Sequence, residues 1–276
     1  RLAQNEGIPS QLIVTTRLLV AFVVLMPIVL RRYFPQLQTL NRRDIALTVF
    51  TGFWLALHFM GFIGSMGYTS ILISGVISST SPLAVALLEM FVFKDIAPRI
   101  VWMGLALSII GGFTIGMGGN LTTTGSNPTL GALLAGFGAF AFAIYLIAGR
   151  PVQRKISLIP YVWMVYGSAG FFALLITLFS NAPLTGHTSQ GYIWAILVAV
   201  IPQLIGHSSI NLSVRYFSPT YVSIVLQLTV VFSSILAIFM FDEIPQSLQI
   251  MGSSIILIGA TLASIGQGLK RKRDKP

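Results

Sequence analysis

The chain has 276 residues, 55% of them hydrophobic and 9% charged, whereas a soluble domain carries roughly 25% charged residues, so a water-soluble globular fold is excluded. It has no cysteine, three histidines and seven acidic residues, which removes disulfides, thiolate metal sites and cysteine nucleophiles and leaves little for a metal centre or a hydrolase. The net charge of +10 is therefore to be read by where it sits, not as the mark of a nucleic-acid partner.

Apolar stretches long enough to cross about 30 Å of hydrocarbon as helices run over residues 10–30, 45–67, 69–93, 98–118, 129–149, 157–179, 191–212, 217–241 and 247–268. They predict an all-α membrane protein with nine spans. Polar or turn-forming breaks separate them, among them Arg31 to Asp44, Lys94 to Arg99, Arg150 to Lys155 and Asp242 to Gln246.

The stretch from Tyr68 to Gly118 recurs without a gap from Tyr216 to Gly266. Identical pairs include Tyr68/Tyr216, Phe91/Phe239, Ile96/Ile244, Gly104/Gly252, Gly111/Gly259 and Gly118/Gly266, with an acidic turn at the same place in each copy. The chain thus reads as a duplication. The same offset lays 10–30 over 157–179 and 45–67 over 191–212, while 129–149 maps to positions before Arg1. The expectation is a ten-helix parent of two five-helix halves, residues 1–128 and 129–276, whose first helix precedes Arg1. An odd number of spans in each half makes the copies insert in opposite directions, an inverted repeat of the kind secondary transporters use.

If Arg31 to Asp44 is cytoplasmic, alternation places 15 of the 17 Lys and Arg residues on that side, including the tail from Lys270 to Lys275. The positive-inside rule then orients the chain with a cytoplasmic C-terminus, and the basic tail reads as an anchor near anionic lipid rather than a nucleic-acid binder. Small residues recur every four positions at Gly104, Ser108, Gly112 and Gly116, and again at Gly131, Ala135, Ala139 and Ala143. Such stripes let membrane helices approach closely.

The stretch Thr15-Thr16-Arg17-Leu18-Leu19-Val20-Ala21, Ser81-Pro82-Leu83 opening a helix that ends at Lys94-Asp95, and Phe241-Asp242-Glu243-Ile244 before a Gly-rich last helix all fall within the five-plus-five duplication. Together they resemble landmarks of the drug/metabolite transporter superfamily and, within it, the EamA-type exporters. Set against the family, the first helix is expected to precede Arg1, and Val230 stands where a proline would answer Pro82. The resemblance implies an inner-membrane carrier that exports amino acids or other small metabolites through a cavity between the halves.

Within that frame Glu89 is the leading candidate for proton coupling, because a carboxyl inside a span is costly unless it has a task. Ser78, Ser81, Pro82 and Val85 share its helical face. The alternatives are a hydrated position near the headgroups and a pair with a cytoplasmic basic residue. Arg17 either meets a substrate carboxylate, snorkels to headgroups, or bonds the backbone carbonyls of a neighbouring helix; its depth argues against a direct pair with Glu89. His58 and His207 fall one position away from repeat equivalence, and with Trp54, Phe62 and Asn211 they suggest an aromatic and polar lining near the pseudo-two-fold axis. Trp163, Tyr166 and Gln227 are further lining candidates, and Pro82 is a candidate hinge because it removes a backbone donor inside a span.

The reading that follows is a secondary transporter working by alternating access on a small-molecule substrate in the lipid bilayer, with protons as a possible coupling ion and no cofactor or metal. The rival is an intramembrane enzyme, or a membrane subunit that does not itself transport. Against the enzyme stand the lack of a Gly-x-Ser-x-Gly elbow, of His-Glu-x-x-His and of a phosphate-binding loop.

Overall fold

The computed structural model describes residues 2–69, 71–118, 126–180, 182–229, 231–232 and 246–273. Val230, the acidic turn at Asp242-Glu243 and the last tail residues lie outside the described residues. In chain order the helices are α1 (Leu2–Asn5), α2 (Ser10–Arg32), α3 (Phe34–Gln38), α4 (Arg42–Tyr68), α5 (Ile71–Ser78), α6 (Ser81–Phe93) and α7 (Arg99–Gly118). They continue with α8 (Pro128–Gln153), α9 (Leu158–Phe179), α10 (Ser189–Val198), a π-helical segment (Ala199–His207), α11 (Ser208–Tyr216), α12 (Pro219–Leu226) and α13 (Ser247–Arg273).

Among the described residues, eight helical runs are long and apolar enough to cross a membrane. The ninth expected span begins as α12 and continues into residues outside the described set. Start signals are local. Asn41 accepts from the Asp44 backbone N–H while the Asp44 carboxylate accepts from that of Asn41, a capping box at the head of α4. Asn127, Thr188 and Ser218 cap α8, α10 and α12 through their side-chain oxygens.

The spans pair antiparallel through small residues. Gly170 lies against Leu19 and Gly167 against Phe22, joining α9 to α2. Gly61 meets Gly138, and Gly131 meets Thr69, along α4 and α8. On α7 and α13, Gly104 faces the carbonyl of Gly259 and Gly111 faces that of Gly252. The stripe on α7 divides its work: Gly104 and Ser108 pack on α13, whereas Gly112 and Gly116 turn toward Ser79 and Val76 beside α5. Phe91, Met103, Met117 and Phe171 stay exposed on the outside, as lipid-facing side chains do.

Two spans differ from the expected continuous helices. The run at 69–93 breaks at Ser79-Thr80, and Pro82 stands in the first turn of α6 rather than in a kinked interior. The Ser79 and Thr80 hydroxyls bond back to the carbonyls of Val76 and Ile77 and so compete with the helical ladder, while Pro82 has no N–H to offer the Ser78 carbonyl. The run at 191–212 widens into the π-helical segment around Pro202, where the same missing donor is accommodated by the longer i to i+5 turn.

Candidate functional site

Arg17 of α2 is 5% exposed. Its Nε donates to Gln203 Oε1 at 2.9 Å, and its guanidinium lies 3.7 Å from the centre of the Phe59 ring. The ion pairs among the described residues are Arg150–Glu89 and Lys155–Asp44, so this buried cation is held by an amide and an aromatic face, with no carboxylate beside it. It neither snorkels to headgroups nor leans on backbone carbonyls, two of the expected alternatives. As expected, it does not pair with Glu89.

Around Phe59 the two membrane histidines meet. His58 and His207 ring centres are 6.1 Å apart, Phe59 stands edge-on to His207 at 4.7 Å, and Phe142 and Tyr145 close the cluster. His58 Nδ1 is 2.9 Å from the Gly138 carbonyl, and Phe62 stacks on the His58 ring. His207 Nδ1 and Gln203 Nε2 are buried without a partner among the described residues. Such orphaned groups are costly in a finished core and call for an explanation.

A buried polar series extends from this cluster toward the basic end. Tyr166 Oη lies 3.1 Å from Ser208 Oγ and donates to the Gln203 carbonyl at 3.4 Å. Asn211 Nδ2 donates to Tyr145 Oη at 2.5 Å and to the His207 carbonyl at 2.8 Å, and Gln153 Nε2 donates to Asn211 Oδ1 at 3.1 Å. Gln203, His207 and Asn211, four positions apart, all face inward along one span.

Glu89 is 3% exposed. One carboxylate oxygen accepts from Arg150 Nη1 at 3.0 Å and the other from the Thr220 backbone N–H at 3.0 Å. The pair with a basic residue is therefore the alternative that matches the geometry. Thr220 is in the first turn of α12, where an anion also meets the positive end of the helix. One side chain on α6 thus ties α8 to α12.

Other candidates lie apart from the histidine cluster. Trp163 stacks on Phe22 at 5.0 Å, and Trp54 sits edge-on to Phe50, Phe53 and Phe140; both indole N–H groups are buried without partners among the described residues. Ser78 is on α5 and Ser81 on α6, separated by the helix break, while Pro82, Val85 and Glu89 share the buried face of α6. Gln227 Nε2 donates to the Ser79 carbonyl. Sequence reasoning passed over Phe59, Gln203, Tyr145, Gln153 and Arg150. A glutamine four positions before His207 in an apolar span was a legible signal for Gln203; nothing in the sequence alone marks Phe59 or Tyr145.

A crystal structure of a protein aligns over 99% of this chain and 93% of its own, with a TM-score of 0.78 at 15% identity; it speaks for the fold alone. No curated protein matches the sequence. The model of the EamA-like transporter family matches twice, over residues 2–117 and 129–265. With both halves of the helical chain accounted for in this way, the protein belongs to the EamA-like transporter family, whose members are membrane transporters and not enzymes.

Proposed function

We propose that the protein is a secondary transporter of small amphipathic metabolites bearing a carboxylate, amino acids foremost, and that it works by alternating access between two halves of opposite orientation, residues 1–128 and 129–276. The observation that carries the substrate class is Arg17, a buried guanidinium without an acidic partner among the described residues, set beside aromatic rings and two histidines. A carboxylate is the group whose geometry a guanidinium matches in two hydrogen bonds, and the orphaned Gln203 Nε2 and His207 Nδ1 add nearby polar capacity.

The repeat is supported by contacts that map onto themselves under the sequence offset. Leu19–Gly170 exchanges with Phe22–Gly167, Gly104–Gly259 exchanges with Gly111–Gly252, and Phe59 meets its own equivalent His207. Elements related in this way meet at a pseudo-two-fold axis, where transporter sites lie. The basic loops favour a cytoplasmic C-terminus in the inner membrane, and export follows the family resemblance. Glu89 holds α6, α8 and α12 together at the basic end, and we assign it the coupling proton, taken up when the transport cycle parts it from Arg150.

The test is flux of labelled amino acids and their carboxamides into liposomes holding the full chain, with and without a pH gradient, for wild type, Arg17→Gln and Glu89→Gln. Acids should be carried and carboxamides rejected, with Arg17→Gln lowering flux about 10- to 100-fold, the worth of a hydrogen bond to a charged group. Glu89→Gln should abolish the response to the gradient. Equal transport of acid and carboxamide, or undiminished flux in Arg17→Gln, would overturn the substrate class.

A further inference from the structure

Away from the histidine cluster, the basic ends of α6 and α8 carry two adjoining cavities. One, of about 470 Å³, is lined by Phe93, Lys94, Asp95, Arg150, Pro151 and Arg154. The other, of about 270 Å³, is apolar; Leu47 and Phe50 of α4, Leu88 of α6 and Ile144 and Ala148 of α8 are among its walls, and it shares Phe93 and Pro151 with the first. A charged chamber at the water-facing end thus abuts a groove that faces hydrocarbon.

Two details of the chamber stand out. Arg150 gives Nη1 to Glu89 and lies 5.0 Å over the Phe93 ring, yet its Nε is buried with no acceptor among the described residues. Lys94, the residue that ends α6, has φ 53°, the only positive φ outside glycine among the described residues. An L-residue pays steric strain there that glycine would avoid, so a lysine held in that conformation points to use of its side chain.

We infer that the paired cavities form a binding site for an anionic phospholipid, with the headgroup phosphate on Lys94, Arg150 and Arg154 and one acyl chain in the groove between α4, α6 and α8. A soluble anion would fill the chamber and leave the groove open. A neutral lipid would fill the groove and leave Lys94 and Arg154 beside Asp95 as the acidic lining residue, Arg150 being held by Glu89. Only a molecule with a phosphate and a hydrocarbon tail uses both, and basic pockets at the ends of membrane helices are where such headgroups bind. The phosphate reaches the same guanidinium that Glu89 holds, which connects the lipid to the tie between α6, α8 and α12.

The experiment is native mass spectrometry of the full chain in detergent, titrated with dioleoyl phosphatidylglycerol or dioleoyl phosphatidylcholine, with and without millimolar inorganic phosphate. Wild type, K94Q/R154Q and A148F are compared. Phosphatidylglycerol should bind in preference to phosphatidylcholine. K94Q/R154Q should weaken it by about fivefold for each cation removed without changing phosphatidylcholine, and A148F should weaken both lipids by filling the groove. Lys94 and Arg154 are exposed, so the charge variant keeps the proposal testable where A148F fails to fold. Equal binding of the two lipids, unchanged phosphatidylglycerol binding in K94Q/R154Q, or its displacement by inorganic phosphate would overturn the assignment.

Discussion

The Gln227 side chain donates its amide hydrogen to the Ser79 carbonyl, and the two residues stand 148 positions apart, the offset at which the two halves of the sequence match. Each sits where its helix is interrupted: Ser79 between α5 and α6, Gln227 just past α12. A break frees backbone carbonyls, and in a membrane each must find a partner. Gln227→Leu removes that donor and leaves the Ser79 carbonyl buried and unpaired. It should destabilise the protein by about 1–3 kcal/mol, seen as a lower unfolding temperature in detergent. An unchanged unfolding temperature would mean that another donor takes over.

Glu89 and Arg150 should behave as one unit. Glu89→Gln keeps an acceptor for the Thr220 N–H but strands a guanidinium whose side chain is 15% exposed. Removing one member of a buried pair costs about 3–5 kcal/mol, and the partial exposure of Arg150 places the expected loss at or below the lower end. Glu89→Gln with Arg150→Gln should cost less than the two changes added together, by about 1 kcal/mol or more. Denaturant titration of all four forms measures this, and strict additivity would show that the pair does not hold the helices together.

Glycines on the spans separate into two kinds. A Cβ on Gly104 would lie 2.5 Å from the Gly259 carbonyl oxygen, and one on Gly111 2.6 Å from that of Gly252, so alanine at either position must push α7 off α13. Gly64 on α4 has open space around that position. Gly104→Ala and Gly111→Ala should therefore lower the unfolding temperature, whereas Gly64→Ala should stabilise by about 0.5–1 kcal/mol through helix propensity. A loss at Gly64 equal to that at Gly104 would refute the packing argument.

Much of this was legible in the sequence because the bilayer simplifies the code. Span length, charged loops and the repeat of Tyr68 to Gly118 at Tyr216 to Gly266 each follow from a local rule. The histidines and Arg17 could be singled out because polar groups inside spans are expensive. What escaped was partnership. That Glu89 would meet Arg150 rather than another cation depends on α6 lying against α8, and that Phe59 would cover the Arg17 guanidinium depends on how α2 and α4 pack. Neither is encoded in a window of one helix. The π-helical segment was missed for a different reason: Pro202 was visible in the sequence, but whether a proline kinks, breaks or widens a helix depends on which neighbours receive the displaced carbonyls.

That segment supplies the last prediction. With 3.6 residues in a regular turn, converting a stretch of i to i+5 bonding to i to i+4 rotates everything beyond it by about 100° for each residue absorbed. Pro202→Ala restores the N–H that the regular helix needs and removes the ring that opposes it. The variant should relax residues 199–207 toward an α-helix, turning His207 and Asn211 away from Phe59 and Tyr145 while leaving the fold intact. Because the chain has no cysteine, single probes report the rotation directly. In an otherwise unchanged background, Ile205→Cys, at an exposed position, should be labelled readily by a lipid-soluble photoactivated carbene, which needs no thiolate, and Asn211→Cys, at a position 1% exposed, should not. Adding Pro202→Ala should expose position 211 and abolish amino-acid flux without lowering the unfolding temperature. If labelling is unchanged and flux persists, the widened turn does not set the facing of His207 and Asn211.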